Sequence, residues 1–360
     1  MIAEEDRGEL TTQEIADRAT RHAGADAFAL ATQERSLMLR FAAGRPTQST
    51  AIDDVTVEIA IPFHGQVGRA STNAVDDASL ADCAMRARLA AEAAAMSGEG
   101  RFPGFDPDVR GAGAHDRDEA VGGDGSTAAV EPAVPFDAAT AELDPALGAA
   151  ALTDAFSVAA EHGLEAHGIW TVAEQEQGWA TRAGSGAGGG ERRTDAFMKV
   201  ICIAPSGRSG YASETCVVGG ELDAHRLAET AAAKALATGE PAELPPGEYP
   251  VVFEAQAAGW LVDLLAACAF NGLAHAEGRG ALDGRIGDQV AASAISVADS
   301  PGHPRTLPRS FDAEGTPKAP MPLIQDGVAH RVAHDIRSAA LAGEATTGHA
   351  LARSAGQTTP

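Results

Sequence analysis

Asp263, Cys268, His275 and Glu277 lie close together in the chain, and carboxylate, thiolate and imidazole are the side chains that hold a divalent metal. A metal-dependent hydrolase also needs a carboxylate beside the bound water to take its proton, and Leu264, next to Asp263, cannot be that base. His275 and Glu277 carry ligand-type side chains, and a solvated loop pair is the plainer reading of both. Cys268 as a nucleophile would need a nearby imidazole and a supporting carboxylate, and a buried, inert thiol is the commoner state. His330 and His334 stand four apart beside Asp335, which could put two imidazoles on one helix face. However, no Glu follows His330, and Val328 and Val332 suggest a strand, so a structural role is preferred. His162 and His167 flank a helix end, where capping is expected. No G-x-S-x-G elbow occurs. Gly184–Gly190 contains G-x-G-x-x-G but leads into Glu191, Arg192 and Arg193 and then a strand, so it reads as a flexible hairpin loop and not as a dinucleotide site.

The elements that must position these residues run from Gly247 to Val290. Trp260, Leu261, Leu264, Leu265 and Cys268 recur at helical spacing, which predicts a buried helix within Glu254–Phe270. A Gly-rich turn and the phrase LDGRIGDQV follow it.

That layout resembles the TldD/TldE (PmbA) family of metallopeptidases, in which an apolar helix bears HExxxH and leads to a Gly-rich loop ending in G-x-x-G. Counted back from Gly284, the family's first His falls on Asp263, its Glu on Leu264 and its second His on Cys268. The likeness continues through Asp326-Gly327-Val328, Asp335-Ile336-Arg337-Ser338-Ala339 and Thr346-Thr347-Gly348-His349-Ala350. It implies the TldE/PmbA-like branch, which lacks the motif and pairs with a TldD-like HExxxH subunit or with itself. Zinc is then expected in the partner subunit, with no cofactor in this chain and an extended, unfolded peptide as substrate. Family members continue for several more strands, and the family's third ligand, a Cys near the C-terminus, would lie beyond Pro360. The resemblance therefore also implies a C-terminally truncated member. Two alternatives stay open: an independent metal-dependent peptidase with a site rebuilt from Asp263, Cys268, His275 or Glu277, and a non-enzymatic oligomeric remnant.

The 360 residues suffice for two or three domains, and 44% hydrophobic content is that of a soluble globular protein. A net charge of −24 opposes nucleic-acid binding, because phosphate contacts need clustered cations. No apolar run could span a bilayer, and the opening MIAEEDRGEL is acidic where a signal peptide would be basic, so a cytoplasmic protein is expected. Cys83, Cys202, Cys216 and Cys268 form no CxxC pair and read as reduced core thiols.

The front of the chain reads as a duplication. GQVGRAS from Gly65 and GRSGYAS from Gly207 share G-x-x-G-x-A-S, and Leu80 and Leu222 open Ala-rich helices at the same offset. The first copy is expected to place a helix near Thr12–His22, strands near Ala27–Thr32, Ser36–Phe41 and Val55–Ile61, and a helix over Ser79–Met96. The second repeats the order: Ala146–His162, then Ala166–Glu174, Trp179–Arg182 and Met198–Ile203, then Asp223–Ala237. The expected fold class is α+β: a duplicated helix and antiparallel-sheet body, followed by a mostly β C-terminal domain with one buried helix. The boundaries are residues 1–96 and 145–244 for the repeats, 97–144 for a Gly/Pro/Asp-rich linker with a mobile middle, and 245–360 for the C-terminal domain.

Overall fold

The computed structural model describes residues 10–98, 100–106, 135–237, 243–303 and 305–351. The centre of the expected linker, 107–134, and the polar tail from 352 lie outside the described residues.

Each copy builds helix, three antiparallel strands and helix. The first comprises α1 (Thr12–Ala23), β1 (Phe28–Ala42), β2 (Arg45–Phe63), β3 (Gln66–Thr72) and α2 (Asp77–Ala95). After a one-turn helix α3 (Ala138–Ala141), the second comprises α4 (Pro145–Glu161), β4 (Glu165–Thr181), β5 (Ala187–Ile203), β6 (Ser209–Cys216) and α5 (Ala224–Ala237). The two three-stranded units join through β1 and β4 into one six-stranded sheet, ordered β3-β2-β1-β4-β5-β6. The helix starts are set locally. Thr11 and Glu14 form a reciprocal capping box on α1, Asp76 accepts the Ser79 N–H at the start of α2, and Asp144 precedes Pro145 on α4.

The strands are longer than the sequence pattern suggests. Ala27–Thr32 and Ser36–Phe41 are one strand, β1, running through Gln33, Glu34 and Arg35. The polar interruption is tolerated because each of these residues has a cross-strand partner: Arg35 lies opposite Glu174 on β4 and bonds its carboxylate at 2.7 Å. The expected strands Ala166–Glu174 and Trp179–Arg182 fuse in the same way into β4. The glycine run is only partly a loop. Ala187–Gly190 already belongs to β5, where the Gly188 backbone packs on Gln13 and that of Gly189 on the Trp179 ring.

The repeated G-x-x-G-x-A-S segments are β3 and β6, and their second glycines explain the echo. A Cβ on Gly68 would stand 2.1 Å from the Ala87 carbonyl oxygen of α2, and one on Gly210 would stand 2.0 Å from the Ala231 carbonyl oxygen of α5. Strand and helix touch backbone to backbone at equivalent places in both copies, which only glycine allows. Gly68→Ala and Gly210→Ala should each destabilise the chain by about 1–3 kcal/mol through overpacking, read as a lower urea midpoint with an unchanged slope.

The four long helices cover one face of the sheet. Ala29, Ala31, Val57 and Ile59 meet α1 and α2 there, and Trp170, Val172, Met198 and Val200 meet α4 and α5. The opposite face receives the chain after α2 and the C-terminal segment: Phe28, Leu30, Ala60 and Trp179 of the sheet close on Phe102 and Phe105 of the former and on Phe311 and Ile336 of the latter.

That segment contains α6 (Ala255–Cys268), α7 (Gly272–Ala276), β7 (Val297–Asp299), β8 (Met321–Gln325), β9 (Val328–Ala329) and α8 (Ile336–Ala342). Its sheet, β7-β8-β9, is small, and turns and irregular backbone make up most of the rest, so it carries less strand than expected. Asp312 explains how such backbone is held: its carboxylate accepts the N–H groups of Glu314, Thr316 and Ala350, each at 2.9 Å.

Candidate functional site

Helix α6 forms where the apolar spacing places it, but it is exposed along its whole length, where the sequence pattern predicts a buried helix. No residue of α6 is buried; Trp260 is 70% exposed, Leu264 64% and Leu261 48%. Tyr249, Val251, Val252 and Phe253, just before it, are exposed as well. Helical periodicity reports an apolar face without saying whether the chain's own core or another molecule covers it. Cys268 follows its helix into solvent, whereas Cys83 and Cys202 are buried as expected.

The candidate ligands do not converge. Asp263 and Cys268 are five residues apart, which separates them by about 140° around a helix. Both are exposed, as is Leu264 between them. His275 lies on α7, the one-turn helix capped by Asn271, and its Nδ1 is buried without a hydrogen-bond partner among the described residues. Glu277 is exposed and pairs with Arg279 at 2.6 Å. Among the described residues, no group of three His, Cys, Asp or Glu side chains is arranged to hold a metal ion. The residues present do not fit the zinc site that HExxxH would build.

The histidine pair also separates. His330 is exposed, while His334 is wholly buried in the irregular stretch before α8. His334 Nδ1 lies 3.2 Å from the Ser338 hydroxyl, and its Nε2 lies 3.6 Å from the Glu344 carboxylate. Burial pushes its pKa down, against the pull of Glu344 and with that of His275, so the ring is a neutral packing element. It fits because Gly272 has no side chain: a Cβ there would come within 2.4 Å of His334 Nδ1. Asp335 caps α8, accepting the Ser338 N–H at 2.7 Å. His162 ends α4, with its ring 3.3 Å from Glu229.

A buried ionic cluster that the motifs did not single out joins the first repeat to the C-terminal segment. Arg69 of β3 donates to Glu58 of β2 at 2.6 Å and to Glu314 at 2.9 Å. The other Glu314 oxygen accepts the Ile336 N–H, at the start of α8, at 2.9 Å. Burial raises the Glu314 carboxyl to about 7, opposed by Arg69 and reinforced by Asp335 and Asp312. Burial works to lower the Arg69 pKa, but Glu58 and Glu314 outweigh it and the guanidinium stays charged. Arg69 sits inside the GQVGRAS echo where the second copy has Tyr211, which was the one available signal. A second tie lies on the same face: Ser310 donates its N–H and hydroxyl to Glu191 at 2.8 and 2.6 Å.

Fold and site together define an α+β protein with a duplicated antiparallel sheet and a C-terminal segment in which, among the described residues, no metal-binding cluster forms. Residues 246–360 match the family model described as the PmbA/TldA metallopeptidase C-terminal domain. No curated protein matches the chain significantly. Among solved structures, the chain is similar to a protein of Thermotoga maritima described as a candidate modulator of a DNA gyrase: 20% identity, 97% of this chain and 76% of that chain covered, TM-score 0.73. It is also similar to TldE of Thermococcus kodakarensis, with 16% identity, 93% and 72% covered, and TM-score 0.71. A further candidate gyrase modulator, from Bacteroides thetaiotaomicron, gives 16% identity, 97% and 77% covered, and TM-score 0.73. At these identities the structural likeness establishes the fold. Residues 246–360 thus carry a PmbA/TldA-type C-terminal domain, and the chain as a whole shares the fold of these TldD/TldE-type structures. Among the described residues, no helix is long and apolar enough to cross a membrane.

Proposed function

We propose that this chain is a TldE/PmbA-like, non-zinc subunit that assembles in the cytoplasm with a TldD-like subunit bearing HExxxH, and that the pair processes extended, unfolded peptides. One observation carries the reading: the helix at the motif position has Asp263, Leu264 and Cys268 in place of the ligands and base, yet turns a row of large apolar side chains to solvent. A monomer rarely leaves such a contiguous apolar patch open, and exposed patches of this kind mark association surfaces. The helix has therefore lost the means of catalysis and kept those of assembly. In this role the chain supplies chamber wall and interface, and the zinc chemistry belongs to the partner.

The test is co-expression with a HExxxH-bearing paralogue from the same genome, followed by sedimentation to obtain the mass and by metal analysis of each species. A hetero-oligomer holding zinc in the paralogue is expected. One tightly bound zinc in this chain by itself would overturn the proposal in favour of a rebuilt metal site.

A further inference from the structure

Helix α6 differs from the other long helices described in what holds it. Helices α1, α2, α4 and α5 each bury an apolar face on the sheet. Helix α6 buries no residue, and no helix or strand among the described residues packs along it. It is fastened at its ends instead. At the start Glu254 accepts from the Lys234 ammonium at 2.5 Å and Gln256 accepts from the Ser213 hydroxyl at 2.9 Å, both in exposed settings where polar ties add little to stability. At the far end Ala269 and Phe270 enter the small core of the C-terminal segment.

The sequence of α6 does not make up for the missing contacts. A helix of fewer than about 12–15 residues is marginal in water even when rich in alanine, because the unfavourable nucleus is normally offset by packing of one face. Helix α6 has 14 residues, with Gly259, Val262 and Asp263, all weaker helix formers than alanine, in its middle. Its N-cap residue Glu254 makes no side-chain cap bond, and its last turn has no basic residue to meet the helix dipole.

We infer that α6 is a conditional helix: in the chain alone Ala255–Cys268 exchanges between coil and helix, and association over its apolar side drives it to the helix. The inference rests on the partner-subunit reading above and gives it a means of control. Trp260, Leu261, Leu264 and Leu265 share one side of the segment only when it is helical. The coil form has no contiguous apolar patch to drive self-association, and the surface that a partner recognises arises as the helix forms. Affinity for the partner is then reduced by the fraction of chains that are not helical at α6.

Hydrogen exchange of the full chain, followed by mass spectrometry of fragments that cover α6 and, as an internal reference, α5, tests this. In the chain alone the amides of α6 should exchange within about tenfold of the unfolded rate, while those of α5 are protected by at least about a thousandfold. In the complex with a HExxxH-bearing paralogue, protection of α6 should rise by at least about a hundredfold. Two substitutions move helix propensity in opposite directions at positions outside the apolar row: Gly259→Ala, where a Cβ meets nothing within 4 Å, and Ala266→Gly, at an exposed site. The first should tighten association about three- to fivefold and the second should weaken it by a similar factor. Exchange of α6 as slow as that of α5 in the chain alone, exchange that stays fast in the complex, or an affinity unmoved by both substitutions would overturn the inference and leave the partner-subunit reading standing. Failure to form any complex with the paralogue would remove that reading and the inference with it.

Discussion

Trp260→Glu combined with Leu264→Glu should leave the isolated chain folded and, on the partner-subunit proposal, stop it assembling with a HExxxH-bearing paralogue. Both side chains are mostly in solvent, and surface substitutions of this kind change stability by no more than about 0.5 kcal/mol. In an assembly that covers α6, each would instead forfeit about 1.5–3 kcal/mol of apolar burial. Two such losses, together with the cost of desolvating two introduced carboxylates, should weaken association by at least about a hundredfold. Sedimentation of equimolar mixtures, beside far-ultraviolet circular dichroism of the variant, separates lost assembly from lost fold. Unchanged assembly would mean that the exposed face of α6 is not the interface.

Arg69→Ala should be the most damaging single substitution outside the hydrophobic core. It removes the one cation that Glu58 and Glu314 share where the C-terminal segment meets the sheet. Breaking a buried ion pair from one side typically costs about 3–5 kcal/mol, since a carboxylate is left without its partner. The loss should depend on pH. The Glu314 pKa is raised, so its contribution to stability is fully present below the unfolded carboxyl value and is lost as pH rises through about 7. Stability of the wild-type chain should therefore fall with rising pH across that window, by an amount on the order of 3 kcal/mol if Glu314 acted alone. Glu314→Gln should flatten the dependence, and Arg69→Ala should steepen it, because the carboxylate that forms has then lost the Arg69 guanidinium. Thermal unfolding at a series of pH values reads both. A variant profile parallel to the wild type would show that this carboxyl does not titrate at the junction.

The parts of this molecule that were legible in the sequence are those set by local rules. The G-x-x-G-x-A-S echo revealed the duplication, because the close approach of strand to helix leaves no room for a side chain at Gly68 or Gly210, but it was not read as the strands β3 and β6 that it forms. The helices α1, α2, α4 and α5 followed from amphipathic runs. What escaped depended on distant partners. Gln33–Arg35 resembles a break between strands until Glu174, far along the chain, is placed opposite Arg35. The Arg69–Glu314 pair joins residues that no local window contains. Trp260, Leu261, Leu264 and Leu265 gave the right helix and the wrong surroundings, since an apolar stripe is written the same way for a chain's own core and for a partner. The missing ligands at Asp263, Leu264 and Cys268 could be read directly. The disposition of His275 and Glu277, one with its Nδ1 buried and the other in solvent with Arg279, required the fold.

The most direct test of the subunit assignment is hydrolysis of an unstructured peptide by this chain alone, by its HExxxH paralogue alone, and by the equimolar pair at the same total concentration. The partner-subunit account predicts cleavage that is strongest in the pair, abolished when the paralogue's motif Glu is replaced by Gln, and absent from this chain alone. Cleavage by this chain alone, abolished by Asp263→Ala or His275→Ala, would contradict it and locate the chemistry on the side chains set aside here.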